Sequence, residues 1–195
     1  MNNSERLSKI SFIGLLVVLG TVVATMGCSS DGGCSFNACG GDAVGNWRLV
    51  KACAPDSDID TCSEGRLTYG LGDSAGMVMV RSDMTYSSSI MFKGMGSATV
   101  PGSCSSNFSS CSAVATYAEQ TLGFSSVTCQ GTPASGCSCS YPINDSSTDS
   151  GTWAASGNQV TLSGQGGTMV ADYCRQGTTF TIKLSNGPIL TFAPM

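Results

Sequence analysis

Asp56, Asp58 and Asp60 alternate along PDSDIDTC, and in this 195-residue chain they come nearest to a ligand set for a hard cation. Calcium favours oxygen ligands, and an EF-hand loop opens D-x-D-x-D. That loop then needs a glycine where Thr61 stands and a glutamate where Leu67 stands. A polar loop closed by Cys53 and Cys62 accounts for the aspartates without an ion, so no metal site is expected. In GCSC, Cys137 and Cys139 are two residues apart, which puts both sulfurs on one face of a strand. Such a pair can chelate a soft metal, but in an oxidising compartment it forms bridges, and Cys129 and Cys174 are the expected partners. Met77, Met79, Met84, Met91 and Met95 cluster in the first half. Thioethers can hold Cu(I), and they also fill cores. Met77 and Met79 share a strand face, which we assign to the core.

The chain contains no histidine. That removes Ser-His-Asp and Cys-His mechanisms, histidine bases and imidazole metal sites together. Beyond the leader only Glu64 and Glu119 remain as glutamates, and no paired-carboxylate motif stands out. We expect no enzyme and no cofactor.

The elements that carry these residues read as mainly β. NWRLVKA, GRLTYG and GMVMVRSDMTYSSSIMFK are short strand signals separated by turn residues. PGSCSSNFSSC is a loop that Cys104 and Cys111 are placed to staple. SAVATYAEQTL departs from the pattern, with Val114, Tyr117, Ala118 and Leu122 at helical spacing after Ser112 as N-cap. Towards the C-terminus a unit repeats. Trp153 is followed by Gly157, Val160 and Leu162 at +4, +7 and +9, and Tyr173 by Gly177, Phe180 and Ile182 at the same offsets. Each unit reads aromatic strand, glycine turn, alternating strand. Val160, Leu162, Phe180 and Ile182 are therefore candidate barrel-lining residues, with Met77 and Met79. Two like hairpins predict an up-and-down meander closing into a small barrel rather than an open sandwich.

Gly45-Asn46-Trp47 resembles the G-x-W that begins the first strand of lipocalin barrels. GTW…SGNQVTL and ADYCRQGTTFTIKL resemble the final hairpins of bacterial lipocalin-like lipoprotein domains. The resemblance covers about residues 45–52 and 151–193. The cysteine-rich stretch 95–140 does not align. The resemblance implies a disulfide-braced barrel of about eight strands over residues 45–195, with one short helix, a ligand-sized interior and Trp47 closing one end.

The start of the chain answers where such a domain lives. MNNSERLSK is polar, and residues 10–27 are 18 residues without a charge. This is the form of a secretory signal peptide over residues 1–27. MGC-SS resembles the bacterial lipobox: Gly27 and Cys28 match, while Thr25 and Met26 depart from the favoured Leu and small residue. The resemblance implies acylation of Cys28 (palmitate-type chains) and a membrane anchor. Removing Cys28 from 11 cysteines leaves ten, which can pair fully: Cys34, Cys39, Cys53, Cys62, Cys104, Cys111, Cys129, Cys137, Cys139 and Cys174. Residues 28–44, glycine-rich and aperiodic, read as a flexible tether in which Cys34 and Cys39 are spaced to close a small loop. From Cys28 onward the charge is 7 basic (9 less Arg6 and Lys9) against 12 acidic (13 less Glu5), a net of −5. Nucleic acid is not expected as a partner, since its binding needs a basic footprint.

The sequence thus describes an envelope lipoprotein, expected at the outer membrane because Ser29 replaces a retention aspartate. Its barrel is expected to bind a small apolar ligand; the alternative is a structural or interaction module with a filled core. The intact mass of the protein from its host should equal residues 28–195 plus acyl chains, less ten hydrogens. A full-length unacylated chain would remove the anchor and the envelope assignment together.

Overall fold

A computed structural model describes residues 34–195 except 60, 61 and 186; the leader and Cys28 lie outside the described residues. Among the described residues eleven strands and two helices follow in order: β1 (Gly45–Cys53), β2 (Ser57–Ile59), β3 (Cys62–Gly70), β4 (Ala75–Val80), β5 (Thr85–Val100), α1 (Gly102–Ser105), α2 (Cys111–Thr121), β6 (Thr128–Thr132), β7 (Gly136–Ser156), β8 (Gln159–Gly164), β9 (Gly167–Gln176), β10 (Thr179–Leu184) and β11 (Ile189–Pro194). They divide into two compact units. One comprises the residues up to Cys53 with Ser74–Met91 and Asp145–Met195, and the other Ala54–Asp73 with Phe92–Asn144. The residues expected as one domain over 45–195 thus fall into two compact units, and the segment that does not align packs around a core of its own.

The first unit is a closed eight-stranded antiparallel barrel, in the order β5-β4-β1-β11-β10-β9-β8-β7, with β7 returning to β5. The repeated hairpins form as their sequence dictates. Gly157 (φ +61°) and Gly177 (φ +57°) occupy the first loop position between β7 and β8 and between β9 and β10. Positive φ there is the geometry of two-residue hairpin turns, and glycine adopts it without strain. Alternation then directs Phe180, Ile182 and Leu184 of β10 inward, together with Leu190 and Phe192 of β11.

In β4 the assigned phase is wrong. Trp47 pairs with Val78, and it is Val78 and Val80 that are buried. Met77 is 45% exposed and Met79 is half-buried, so both stand on the outer face. Every residue of MVMV is apolar, so alternation alone could not choose between the faces.

The seam between β5 and β7 closes the barrel and carries a dense set of specific bonds. Tyr86 Oη donates to Asp149 Oδ2, and Ser88 Oγ donates to the Asp149 carbonyl at 3.4 Å. Trp153 donates its backbone N–H to the Met84 carbonyl (2.8 Å) and its indole N–H to the Arg81 carbonyl (2.9 Å). Met84 itself lies at φ +64°, in the turn where the Asp83 carboxylate accepts from the Thr85 N–H and hydroxyl. Gly164 of β8 lies against this knot, and a Cβ there would collide with the Asp149 carboxylate and the Tyr86 hydroxyl.

Residues 39–44 are not flexible tether, a correction forced by covalent and hydrogen bonds. Pairing of β8 with β9 ends at Gln159–Asp172, and beyond it the chain before β1 takes the place of β8. Cys39 and Gly40 donate to the Tyr173 carbonyl (3.1 and 3.0 Å), and Arg175 N donates to the Gly40 carbonyl (2.8 Å). Disulfides Cys39–Cys174 and Cys34–Cys53 fasten the same segment.

The second unit contains β2, β3 and the parts of β5 and β7 that pair with β3 and β6. Helix α2 is capped by Ser110, whose side chain accepts from Ala113 N at 3.1 Å, and not by Ser112. Cys111 and Val114 of α2 pack with Cys137 and Cys139 of β7, covered by Ala98, Val100, Phe108 and Val127.

Burial, then the bond to Asp149 and its charge, raises the Tyr86 hydroxyl well above the ordinary tyrosine value of 10.0. A raised folded value means stability that is present in full below pH 10 and lost as pH climbs toward that value. Tyr86→Phe should cost about 1–3 kcal/mol at neutral pH by taking the tyrosine donor from Asp149 Oδ2, while the Ser150 N–H still donates to Oδ1. It should also flatten the alkaline loss of stability in urea titrations with disulfides intact. An unchanged alkaline limb would show that Tyr86 does not carry it.

Candidate binding sites: the barrel interior and an open groove

The inner face of the barrel is built from one residue type after another that fills space. Phe180 is central: its ring lies 5.1 Å from Trp47, 6.1 Å from Tyr173 and 6.0 Å from Phe192, centroid to centroid. Pairs at these separations add about 0.5–1.5 kcal/mol each beyond area burial. Trp47 is seated by its indole N–H, which donates to the Ala43 carbonyl at 2.9 Å, and by the Arg175 guanidinium, 4.7 Å from the ring centroid. Gly45 precedes it because a Cβ at that position would strike the indole. Opposite, Tyr173 Oη donates to the Gly41 carbonyl at 2.8 Å, closing the strap over this end.

Of the residues assigned to the lining, Val160, Phe180 and Ile182 are buried, Leu162 is half-buried, and Met77 and Met79 are elsewhere. Trp47, Val78, Tyr86, Trp153, Tyr173 and Phe192 complete the inner face. None of the buried members is more than 8% exposed. A lumen wide enough for water leaves its lining accessible; this one is packed side chain against side chain.

All ten cysteines from Cys34 onward are bridged, but with partners that their spacing does not give. The links are Cys34–Cys53, Cys39–Cys174, Cys62–Cys104, Cys111–Cys137 and Cys129–Cys139. The local loops expected from Cys34 with Cys39, Cys53 with Cys62 and Cys104 with Cys111 do not form. Cys129 does join Cys139, its direct cross-strand neighbour. Cys137 turns to α2 instead, and Cys174 to the strap. Five disulfides point to an oxidising, extracytoplasmic compartment. Among the described residues no helix is long and apolar enough to cross a membrane. Of the aspartate triad, Asp60 lies outside the described residues.

Two concavities lie away from the barrel core. The smaller, about 290 Å³ in the first unit, is polar and bordered by Thr148, Asp149, Ser150 and Gln165. The larger, about 560 Å³, belongs to the second unit and is open. Gly70, Gly72 and Gly94 give it bare backbone, Met95 and Ile143 apolar walls, and Asp73, Lys93 and Asn144 polar groups. Gly94 is obligatory, since a Cβ there would collide with the Gly70 carbonyl. This groove was not found in the sequence, although glycines at 70, 72, 94 and 96 within or beside strands are a signal of close backbone approach.

Beside it, on the same face of β7 as Ile143, the Tyr141 ring lies over Gly96 with Phe124 at 4.6 Å. Its hydroxyl is buried and has no hydrogen-bond partner among the described residues. Burial first, then neighbouring Tyr69, holds that hydroxyl well above the ordinary tyrosine range.

No family model, curated protein or solved structure matches the chain. The barrel is compatible with a lipocalin-like fold on its architecture alone.

Phe180→Ala tests the filled interior. In a packed barrel it should cost about 3–5 kcal/mol of unfolding free energy, the usual result of emptying a large aromatic site. A loss below about 1 kcal/mol would mean a hollow lumen, where the ring already borders open space.

Proposed function

We propose that this chain is a lipid-anchored binding protein of the cell envelope, fixed to the membrane through Cys28, expected at the outer membrane, with a barrel that serves as rigid scaffold. The observation that carries this reading is the inner face itself. Its aromatic residues occupy the volume that a lumen ligand needs, while a ligand-sized concavity stands open in the second unit. Small-molecule sites commonly occupy roughly 300–1,000 Å³, and the groove falls in that range. Binding is the activity favoured here because no nucleophile–base pair is recognisable in a chain without histidine. The ligand is small and partly apolar, in keeping with Met95 and Ile143.

The packed interior also favours a second reading: a structural or protein-interaction module of the envelope that holds no small molecule. A neutral fluorescent apolar probe such as N-phenyl-1-naphthylamine separates the two. The binding reading expects an emission rise that saturates at one probe per chain and survives Phe180→Ala. A flat titration would sink it and leave the interaction module.

A further inference from the structure

We propose that the outer face of the barrel, at the end of β1, β4 and β5 nearest Cys53, rests on the surface of a phospholipid bilayer. This depends on the lipid-anchor reading above and adds the face that the anchored domain turns to the membrane.

The sequence gathers apolar side chains on that face. Leu49, Val78 and Ile90 are buried, so the residues that alternate with them on the three strands point to solvent. Met77 of β4 lies between Arg48 of β1 and Ser89 of β5, and the next outward pair of the β4–β5 ladder is Ala75 with Met91. Val50 follows two residues after Arg48. The bulge between Leu49 and Lys51 leaves Val50 and Lys51 both exposed, as an extra residue in one strand can. Val50, Met77 and Met91 are 52%, 45% and 38% exposed. Apolar residues scattered singly over a surface need no explanation, but neighbours on adjacent strands form a patch, and a patch marks a contact surface.

Two further observations identify the occupant. The first is the point at which the anchor joins the domain. Disulfide Cys34–Cys53 ties the chain that follows Cys28 to the last residue of β1, with the two Cα atoms 5.7 Å apart. Val50 stands three residues before Cys53, roughly 10 Å along the strand. An acylated Cys28, six residues before Cys34, draws this end of the barrel toward lipid and leaves the β4–β5 turn at the far end. The second is charge. Arg48, opposite Met77, and Lys51, next to Val50, are exposed cations. Their apolar stems can lie along the patch while the guanidinium and ammonium groups donate to lipid phosphates. The net charge from Cys28 onward is −5, so these cations act at contact and not by steering from a distance.

Methionine oxidation reads the contact directly. The acylated protein, bound to vesicles of phosphatidylethanolamine and phosphatidylglycerol, is treated with hydrogen peroxide, and each sulfoxide is followed by peptide mass spectrometry. Met84 and Met195 are references from the far end: Met84 lies in the β4–β5 turn with the same 45% exposure as Met77, and Met195 N donates to the Asn46 carbonyl at 3.0 Å. Met77 and Met91 should oxidise about tenfold or more slowly than these two, the ratio that burying one such side chain sustains. In the double variant Val50→Asp, Met91→Asp, with its fold checked by circular dichroism, Met77 should oxidise at the Met84 rate while the protein still floats with the vesicles. Protein that floats but oxidises alike at all four methionines, or keeps Met77 protected in the variant, overturns the proposed face and leaves the anchor standing. Protein that does not float removes the anchor and this inference with it.

Discussion

The first unit depends on β7 meeting β5. An eight-stranded meander whose first and last strands do not join leaves two open edges, each a row of unpaired N–H and C=O groups. Closure removes both, and the chain invests specific side chains in it. Asp149 is the hub, accepting from a buried tyrosine, and Gly164 leaves the space in which that contact forms. Trp153 adds a second pair of bonds to the turn between β4 and β5. Once the seam is shut, the inward residues of all eight strands face a single volume, which is why alternation along each strand becomes burial.

That volume is where the sequence and the structure differ most instructively. Closed barrels of this size are equally suited to a ligand or to their own side chains, and the choice is made by residue size on the inner face. Here Trp47, Tyr173, Phe180 and Phe192 meet at one end, with Tyr86 and Trp153 also buried. The rigidity of the barrel comes from packing, the strap and its two disulfides. Chain-entropy arguments give a link closing a loop as long as Cys39–Cys174 about 5 kcal/mol, more than any single hydrogen bond in the unit. The second unit has three disulfides that hold a small core together where apolar area is scarce.

The hairpins of β7–β8 and β9–β10 were legible because each carries a complete local signal: an aromatic strand, a glycine at the turn, and alternating residues after it. Full pairing of ten cysteines was legible from parity. The partners were not, since Cys39 and Cys174 are 135 residues apart and only the tertiary path brings them together. Met77 and Met79 misled because both faces of their strand are apolar. The strap over residues 39–44 was hidden by its composition. Glycines that look like a linker are there because Gly40 and Gly41 lie at positive φ, and a Cβ on Gly40 would strike the Gly157 carbonyl. The groove was hidden similarly, being made of absent side chains.

If Cys28 carries the proposed anchor, the strap also limits how far the domain can reach. A tether counted to residue 44 would let the domain roam well clear of the bilayer. With Cys34 locked to Cys53, only six residue steps separate an acylated Cys28 from the rigid body. Fully extended, six residues span at most about 20 Å. The barrel would then sit on a leash shorter than a typical small domain is wide, unable to reach across an envelope compartment. Whatever it binds would have to arrive at the lipid surface, and every encounter would take place within a thin layer next to the membrane.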